Sequence, residues 1–324
     1  MLTENMTELT NTLAPNTSRP LLTIVIPTYN RLPSLTEALH SVLRESRALP
    51  VEVIVVDGYS TDGSWDWLLK TSAGKPWVRC MQAPRTGPGR ARNVALAVAS
   101  GRYLLPVDSD VVLLEGALEK MAKAAELDRT EHPVLFFRCV EHPSSRVMDS
   151  FAGPTEITSD MLLLDSVGEM LPLVDIDLVR SRGLKYPDVR MGGEGILWIQ
   201  AVSERPGLFI DIPAILYRTD VAGRQSTAEF QLAHAADMAE VHDAFLPLYE
   251  QVRSTRARRA KARRLLASGT YHLLAEHRRT GLRRLLESAA AGSALAPLPI
   301  MAAVFGRAAL QRGFMWQRRL AARR

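Results

Sequence analysis

Residues 21–26 (LLTIVI) and 51–56 (VEVIVV) are short runs dominated by apolar, mostly β-branched residues, the first ended by Pro27 and the second by Asp57. Runs of this length and make-up predict strands buried on both faces, as in a parallel sheet. Between them Leu35, Ala38, Leu39 and Val42 recur at helical spacing, with Ser34 and Glu37 placed as a capping box. Residues 65–70 and 91–99 predict two more helices, the second closed by Gly101 as a cap, and the apolar run 103–107 a third buried strand. Strands alternating with helices over the first 110 residues define an α/β chain. The expected architecture is an open, mostly parallel Rossmann-like sheet with helices on both faces.

Further along, a helix is expected over 115–127, a strand over 134–138, a helix in GGEGILWIQAVSE and one or two closing strands in GLFIDIPAILYR. From Thr227 the pattern is helical throughout and rich in Ala, Leu and Arg. The resulting division is a disordered polar lead (1–20), a domain at 21–226 with halves 21–110 and 111–226, and a helical tail at 227–324.

Charge sharpens that last boundary. Residues 251–324 hold 17 Lys or Arg against 2 Asp or Glu, although the whole chain of 324 residues carries a formal net charge of only +5. An acidic body therefore carries a basic tail, suited either to an anionic membrane surface or to a solvated arginine-rich face; no nucleic-acid partner is expected. The uncharged stretch 288–306 approaches the length of a membrane span but contains Pro297 and Pro299, which argues against one. Residues 301–324, with Phe305, Leu310, Phe314 and Trp316 beside Arg307, Arg312, Arg318 and Arg319, read either as an interfacial helix or as part of a packed helical hairpin. Without a secretion signal at the start, and with two cysteines in no metal or disulfide pattern, the expected location is cytoplasmic, with attachment to the inner face of the cell membrane open.

The chemistry centres on Asp108 and Asp110, placed where the third strand ends. Ligand sites in open α/β sheets gather at strand carboxyl ends, and two hard oxygen ligands there suit Mg²⁺ or Mn²⁺ together with a substrate's phosphates. GPGRAR, from Gly87, lacks the third glycine of a dinucleotide fingerprint, and the seven histidines form no metal pair.

Taken together, LLTIVIPTYNR, VEVIVVDGYSTDGS, GPGRARNVALAVASGRYLLPVDSDV and KYPDVRMGGEGILW resemble the family 2 glycosyltransferases, in that family's order, over about residues 20–225. The resemblance implies a GT-A-type fold and an inverting transfer from a nucleotide-diphosphate sugar. It places Pro27, Thr28, Asn30 and Arg31 at the nucleoside, Asp57 on the base, and Arg92 near the base or diphosphate, with Asn93 supporting the loop and Arg90 a lesser candidate. Asp108 would meet the ribose or metal, and Asp110 the metal.

Three departures stand out. The base position, commonly Glu-Asp, reads Glu194-Gly195, so Glu194 becomes the candidate base with Asp188 in reserve. The second motif reads Asp57-Gly58-Tyr59 where Asp-Asp-Gly is usual, so one carboxylate remains there, with Tyr59 stacking on or bordering the nucleotide. Tyr217-Arg218-Thr219-Asp220 lacks the usual histidine, leaving Asp220 as the available oxygen ligand. The expected acceptor is a glycan, a lipid-linked saccharide or a natural-product scaffold, with residues 140–185, including Asp165, Asp175 and Asp177, shaping the choice. Two alternatives stay open: a non-catalytic sugar-nucleotide-binding or scaffold protein, and a nucleotidyltransferase.

Overall fold

The structure, a computed structural model, describes residues 8–9, 19–46, 49–84, 87–129, 131–165, 167–218, 227–250, 252, 254–296, 298–299, 301 and 307–321, and for 8–9, 307 and 317–321 the backbone only. It divides into two compact units, Met1–Asp188 with Glu194–Asp220, and Val189–Gly193 with Val221–Arg324. The division differs from the expected one, because Val189 and Met191 pack against Val241 and so belong with the helices.

In the first unit the apolar runs become β2 (Leu22–Thr28) and β3 (Val51–Asp57), buried at every position and paired in parallel so that Thr28 lies beside Asp57. Side chains alternate across the sheet. Leu22, Ile24 and Ile26 enter one core with Leu35, Leu39 and Val42 of α1 (Leu32–Glu45), while Val25 enters the other with Ala95 and Leu96 of α3 (Pro88–Val98). Both faces are thus covered, which is why polar residues are scarce in these strands. Truncating one such Ile or Leu to Ala costs about 2–5 kcal/mol.

One polar exception within the strands is Glu52, fully buried in β3. Its carboxylate accepts from Thr23 Oγ1 and from the Ser100 backbone N–H, each at 2.8 Å, and faces Arg79 at 3.5 Å. Gly101 lies directly over Thr23, where a Cβ would come within 2.7 Å of its backbone nitrogen. Close approach, rather than the expected helix capping, requires that glycine.

The full sheet runs β1-β4-β3-β2-β5-β9-β7-β10-β6, with β8 paired to β10. Here β1 is Glu8–Leu9, β4 Val78–Gln82, β5 Tyr103–Pro106, β6 Val111–Leu113, β7 Val134–His142, β8 Thr155–Ile157, β9 Met170–Asp175 and β10 Gly207–Arg218. It is parallel through β4-β3-β2-β5 and mixed beyond, where β9 pairs antiparallel with both β5 and β7. Glu8–Leu9 lies antiparallel to β4, so part of the lead expected to be disordered is a strand. Of the one or two closing strands expected, the structure has one, β10, whose register shifts around Pro213 and which pairs with β7, β8 and β6.

Helix α1 also starts earlier than its capping box implied. Pro33 occupies the first turn, and the Leu32 N–H donates to Asp62 Oδ2 at 2.9 Å, so a carboxylate from the next loop supplies the cap. Ser34 instead donates to the Arg31 carbonyl, and Glu37 accepts from Arg218 at 2.6 Å.

The second unit is helical: α8 (Ala228–Ala233), α9 (Ala235–Phe245), α10 (Thr255–Leu274), α11 (Arg278–Ala290) and α12 (Arg307–Ala321). A Cβ on Gly269 would come within 2.7 Å of Leu285, and one on Gly281 within 2.8 Å of Leu273, so paired glycines let α10 and α11 approach closely. Leu310 and Phe314 of α12 are buried with Tyr271. This overturns the reading of 301–324 as an interfacial helix presenting those side chains; Trp316 is exposed, while Phe305 and the side chains of Arg307, Arg318 and Arg319 lie outside the described residues.

Candidate active site

The carboxyl ends of β2 and β3 carry two loops hydrogen-bonded into one platform. Asn30, in left-handed backbone, receives a bond from the Thr61 N–H to its side-chain oxygen at 2.7 Å and gives its own N–H to Ser60 Oγ at 2.8 Å. Asp57 is fully buried and accepts from the Ser60 N–H (2.9 Å), Ser60 Oγ (2.5 Å) and Gln82 Nε2 (3.2 Å). The carboxylate expected to face a base is therefore committed to holding this turn, because the chain folds back at Tyr59 and brings Ser60 onto it. Tyr59, with left-handed φ, is exposed, as are Asn30 and Thr61. Pro27 and Thr28 are buried at the strand end, and Thr28 Oγ1 has no hydrogen-bond partner.

One arginine organises the centre. Arg92, on α3 and 3% exposed, donates through Nη2 to Asp108 Oδ1 at 2.5 Å and through Nη1 to Glu194 Oε1 at 2.9 Å. Burial opposes its charge, but the carboxylates of Asp108 and Glu194 outweigh that and hold its pKa above the ordinary arginine value. The guanidinium carbon also lies 5.5 Å from the Tyr186 ring centroid. Tyr186 is fixed in turn by Asn93, whose side chain exchanges two hydrogen bonds with the Tyr186 backbone at 2.9 and 3.0 Å. The expected supporting role of Asn93 thus has a concrete geometry.

Glu194 occupies the N-cap position of α7 (Gly195–Ala201) without a side-chain capping bond, immediately after two glycines in left-handed backbone. Only its Oε1 is engaged by Arg92, which leaves Oε2 open among the described contacts. Asp110 is paired with Arg31. The structure therefore brings Asp108, Glu194 and Arg92 together and ties Asp110 to Arg31. Asp188, the reserve base, is exposed and pairs with Arg90 at 3.5 Å. Asp220 lies outside the described residues. Asp175 caps α6 (Ile176–Ser181) and Asp177 pairs with Arg19 at 2.6 Å, so both serve the fold.

Glu169 was missed by sequence reasoning. Partial desolvation, then the negative charges of Glu194 and Asp108, raise its pKa above the usual carboxylate value. It immediately precedes β9, which pairs antiparallel with β5 through Tyr103–Asp175 and Leu104–Val174, and it lies within reach of the charges of Asp108 and Glu194. Gly168 fixes it there: its φ is +85°, and a Cβ would fall on the Met148 carbonyl. Nothing in its local sequence distinguishes this glutamate; its place depends on a strand the sequence did not reveal.

For a divalent ion, Asp108 and Asp110 offer two partly exposed carboxylates at a strand end, a donor set that fits Mg²⁺ or Mn²⁺ sharing its remaining positions with phosphate oxygens. The group of three metal-capable side chains found among the described residues, Asp128, Glu131 and His132, lies elsewhere.

A buried arginine thus joins a strand-end aspartate to the glutamate at the start of α7. Residues 23–148 match the model of "Glycosyl transferase family 2". The chain is 24% identical over 243 residues to the succinoglycan biosynthesis protein ExoO of Rhizobium meliloti, covering 71% of this chain and 69% of that protein. It is also 24% identical over 194 residues to the GalNAc(5)-diNAcBac-PP-undecaprenol beta-1,3-glucosyltransferase of Campylobacter jejuni, covering 57% and 61%. In fold it is similar to residues 1–349 of S. aureus TarS, solved in complex with UDP-GlcNAc, with a TM-score of 0.62 at 18% identity over 93% of this chain and 92% of that one. Over residues 23–148 the chain is similar to glycosyltransferase family 2, and it is a glycosyltransferase.

Proposed function

We propose that the protein moves a sugar, with inversion, from a uridine-diphosphate donor to a hydroxyl of a glycan or lipid-linked saccharide. The observation that carries this reading is the Arg92 clamp, which sets the candidate base Glu194 and the strand-end Asp108 on one guanidinium. The UDP-GlcNAc of TarS supports the choice of donor, and the undecaprenol-linked substrate named for the Campylobacter enzyme supports the acceptor class.

In this reading the nucleoside lies on the Asn30–Ser60 platform with Tyr59 at its border. Pro27 and Thr28 form its floor, and Asp57 acts by holding the turn. Arg31, released from Asp110, turns to the diphosphate. Asp110 with Asp108 would hold Mg²⁺ or Mn²⁺, whose chemistry when bound is to neutralise charge on the departing diphosphate. Glu194 takes the proton of the acceptor hydroxyl as that oxygen bonds to the anomeric carbon and the sugar–phosphate bond breaks, its electron pair leaving with the nucleotide. Arg92 keeps the Glu194 carboxylate oriented through Oε1 so that Oε2 faces the incoming hydroxyl.

The test is calorimetric titration with UDP-, GDP- and dTDP-sugars, with and without Mn²⁺, alongside donor hydrolysis. Metal-dependent binding of a UDP-sugar that disappears in Asp110→Ala is the expected result. Binding of a UDP-sugar unchanged by Asp110→Ala, or no binding of any nucleotide sugar, overturns the reading.

A further inference from the structure

The large apolar side chains exposed on the first unit, such as Leu127 and Val147, are isolated, but in the helical unit they follow one another along the chain. Helix α11 buries Gly281, Leu285 and Ser288 against its own unit. Its opposite face presents Arg279, Leu282, Arg283 and Leu286, a stripe at i, i+3, i+4 and i+7, with Leu282 41% and Leu286 64% exposed. The segment after the helix adds Leu295, Leu298 and Met301, each more than half exposed. Arg278 and Arg279 make no ion pair among the described residues, and Arg283 meets only Glu287, at 3.8 Å. No helix among the described residues is long and apolar enough to cross a membrane.

Leucines flanked by Arg279, with no ion pair among the described residues, and by Arg283, with only the 3.8 Å contact to Glu287, in a segment with 17 basic and 2 acidic residues over 251–324, are complementary to a surface that is apolar a few ångströms deep and negatively charged at its rim. We propose that the outer face of α11 is a docking surface for an anionic lipid bilayer, with Leu282 and Leu286 entering the acyl boundary and Arg278, Arg279 and Arg283 at the phosphates. The inference stands independently of the donor and acceptor proposed above. It also relocates membrane contact from α12, whose Leu310 and Phe314 point inward.

The experiment is co-sedimentation of the full chain with vesicles of phosphatidylcholine alone and with about 30% phosphatidylglycerol, at low and high salt. Binding to the anionic vesicles at least about tenfold stronger than to the neutral ones, weakened by salt, is expected. The double variant Leu282→Ser/Leu286→Ser should lower it about tenfold with an unchanged melting curve, since both side chains are exposed; Arg279→Glu/Arg283→Glu should act in the same direction. Equal binding to both vesicle types, no binding, or full binding by the leucine variant overturns the proposal. So does self-association abolished by the leucine variant without vesicle binding, which would make the face an interface between copies.

Discussion

Replacing Arg92 with Met removes the guanidinium but keeps most of the buried apolar volume, so the loss should report the ion pairs themselves. Two charge-assisted hydrogen bonds disappear, one to Asp108 and one to Glu194. Removing one partner of a fully buried pair costs about 3–5 kcal/mol. Here the carboxylates are partly solvated, Asp108 at 48% and Glu194 at 24% side-chain exposure, so water recovers part of that loss and the cost falls to about 2–3 kcal/mol. In a unit of about 200 residues this corresponds to a melting temperature lower by about 4–12 °C. Arg92→Lys should recover about half, because a single ammonium cannot bridge both carboxylates with the same fork. Urea unfolding monitored by tryptophan fluorescence measures the effect. If Arg92→Met were within about 0.5 kcal/mol of the parent, desolvation of the arginine would already cancel the pairs, and the view of Arg92 as organiser of the site would be wrong.

Glu194→Gln, which keeps shape and loses the proton acceptor, should lower turnover at least about a hundredfold while donor affinity by calorimetry stays within about threefold; near-normal turnover would remove Glu194 as the base. Gly168→Ala should cost at least about 3 kcal/mol in unfolding experiments, since the positive φ and the Met148 carbonyl both oppose a Cβ, and a loss under 1 kcal/mol would refute the fixed placement of Glu169. His242 in the helical unit is pushed down to about 3 by burial and by Arg264, against about 6.5 when unfolded. Between those values only the unfolded chain binds the proton, so stability should fall as pH drops from 6.5, by about 1.4 kcal/mol per pH unit until about pH 3. His242→Gln should flatten this dependence between pH 6.5 and 4.5, a range above the Asp243 titration at about 2, and urea midpoints at the two pH values give the comparison.

Much of the nucleotide half was legible because its strands are buried on both faces and therefore read as apolar blocks. That one rule located β2, β3 and β5, and with them the strand-end positions of Asp57, Asp108 and Asp110. It could not say that Asp57 turns inward, since that depends on Ser60 and on left-handed backbone at Tyr59. The strand β4 escaped because Arg79 and Gln82 interrupt its apolar pattern, and β9 because Pro172 sits inside a run that otherwise reads as a strand. Missing β9 hid Glu169. The start of α1 was misplaced because its cap comes from Asp62, thirty residues away. The pairing of Arg92 with Glu194, 102 residues apart, is a tertiary fact that neither local stretch encodes.

The residues just before Glu194 belong to the helical unit: Val189 and Met191 are buried with Val241, and Arg190 lies 4.0 Å from Asp237. The stretch Val189–Gly193 interrupts the first unit's run of chain and ends at the candidate base. A protease cut at residue 226, or a natural frameshift there, would therefore do more than remove a basic tail. It would strip the apolar cover from Val189 and Met191 and leave the peptide leading into Glu194 without the partner that holds it, so loss of the last hundred residues should be a loss-of-function lesion at the level of the base itself.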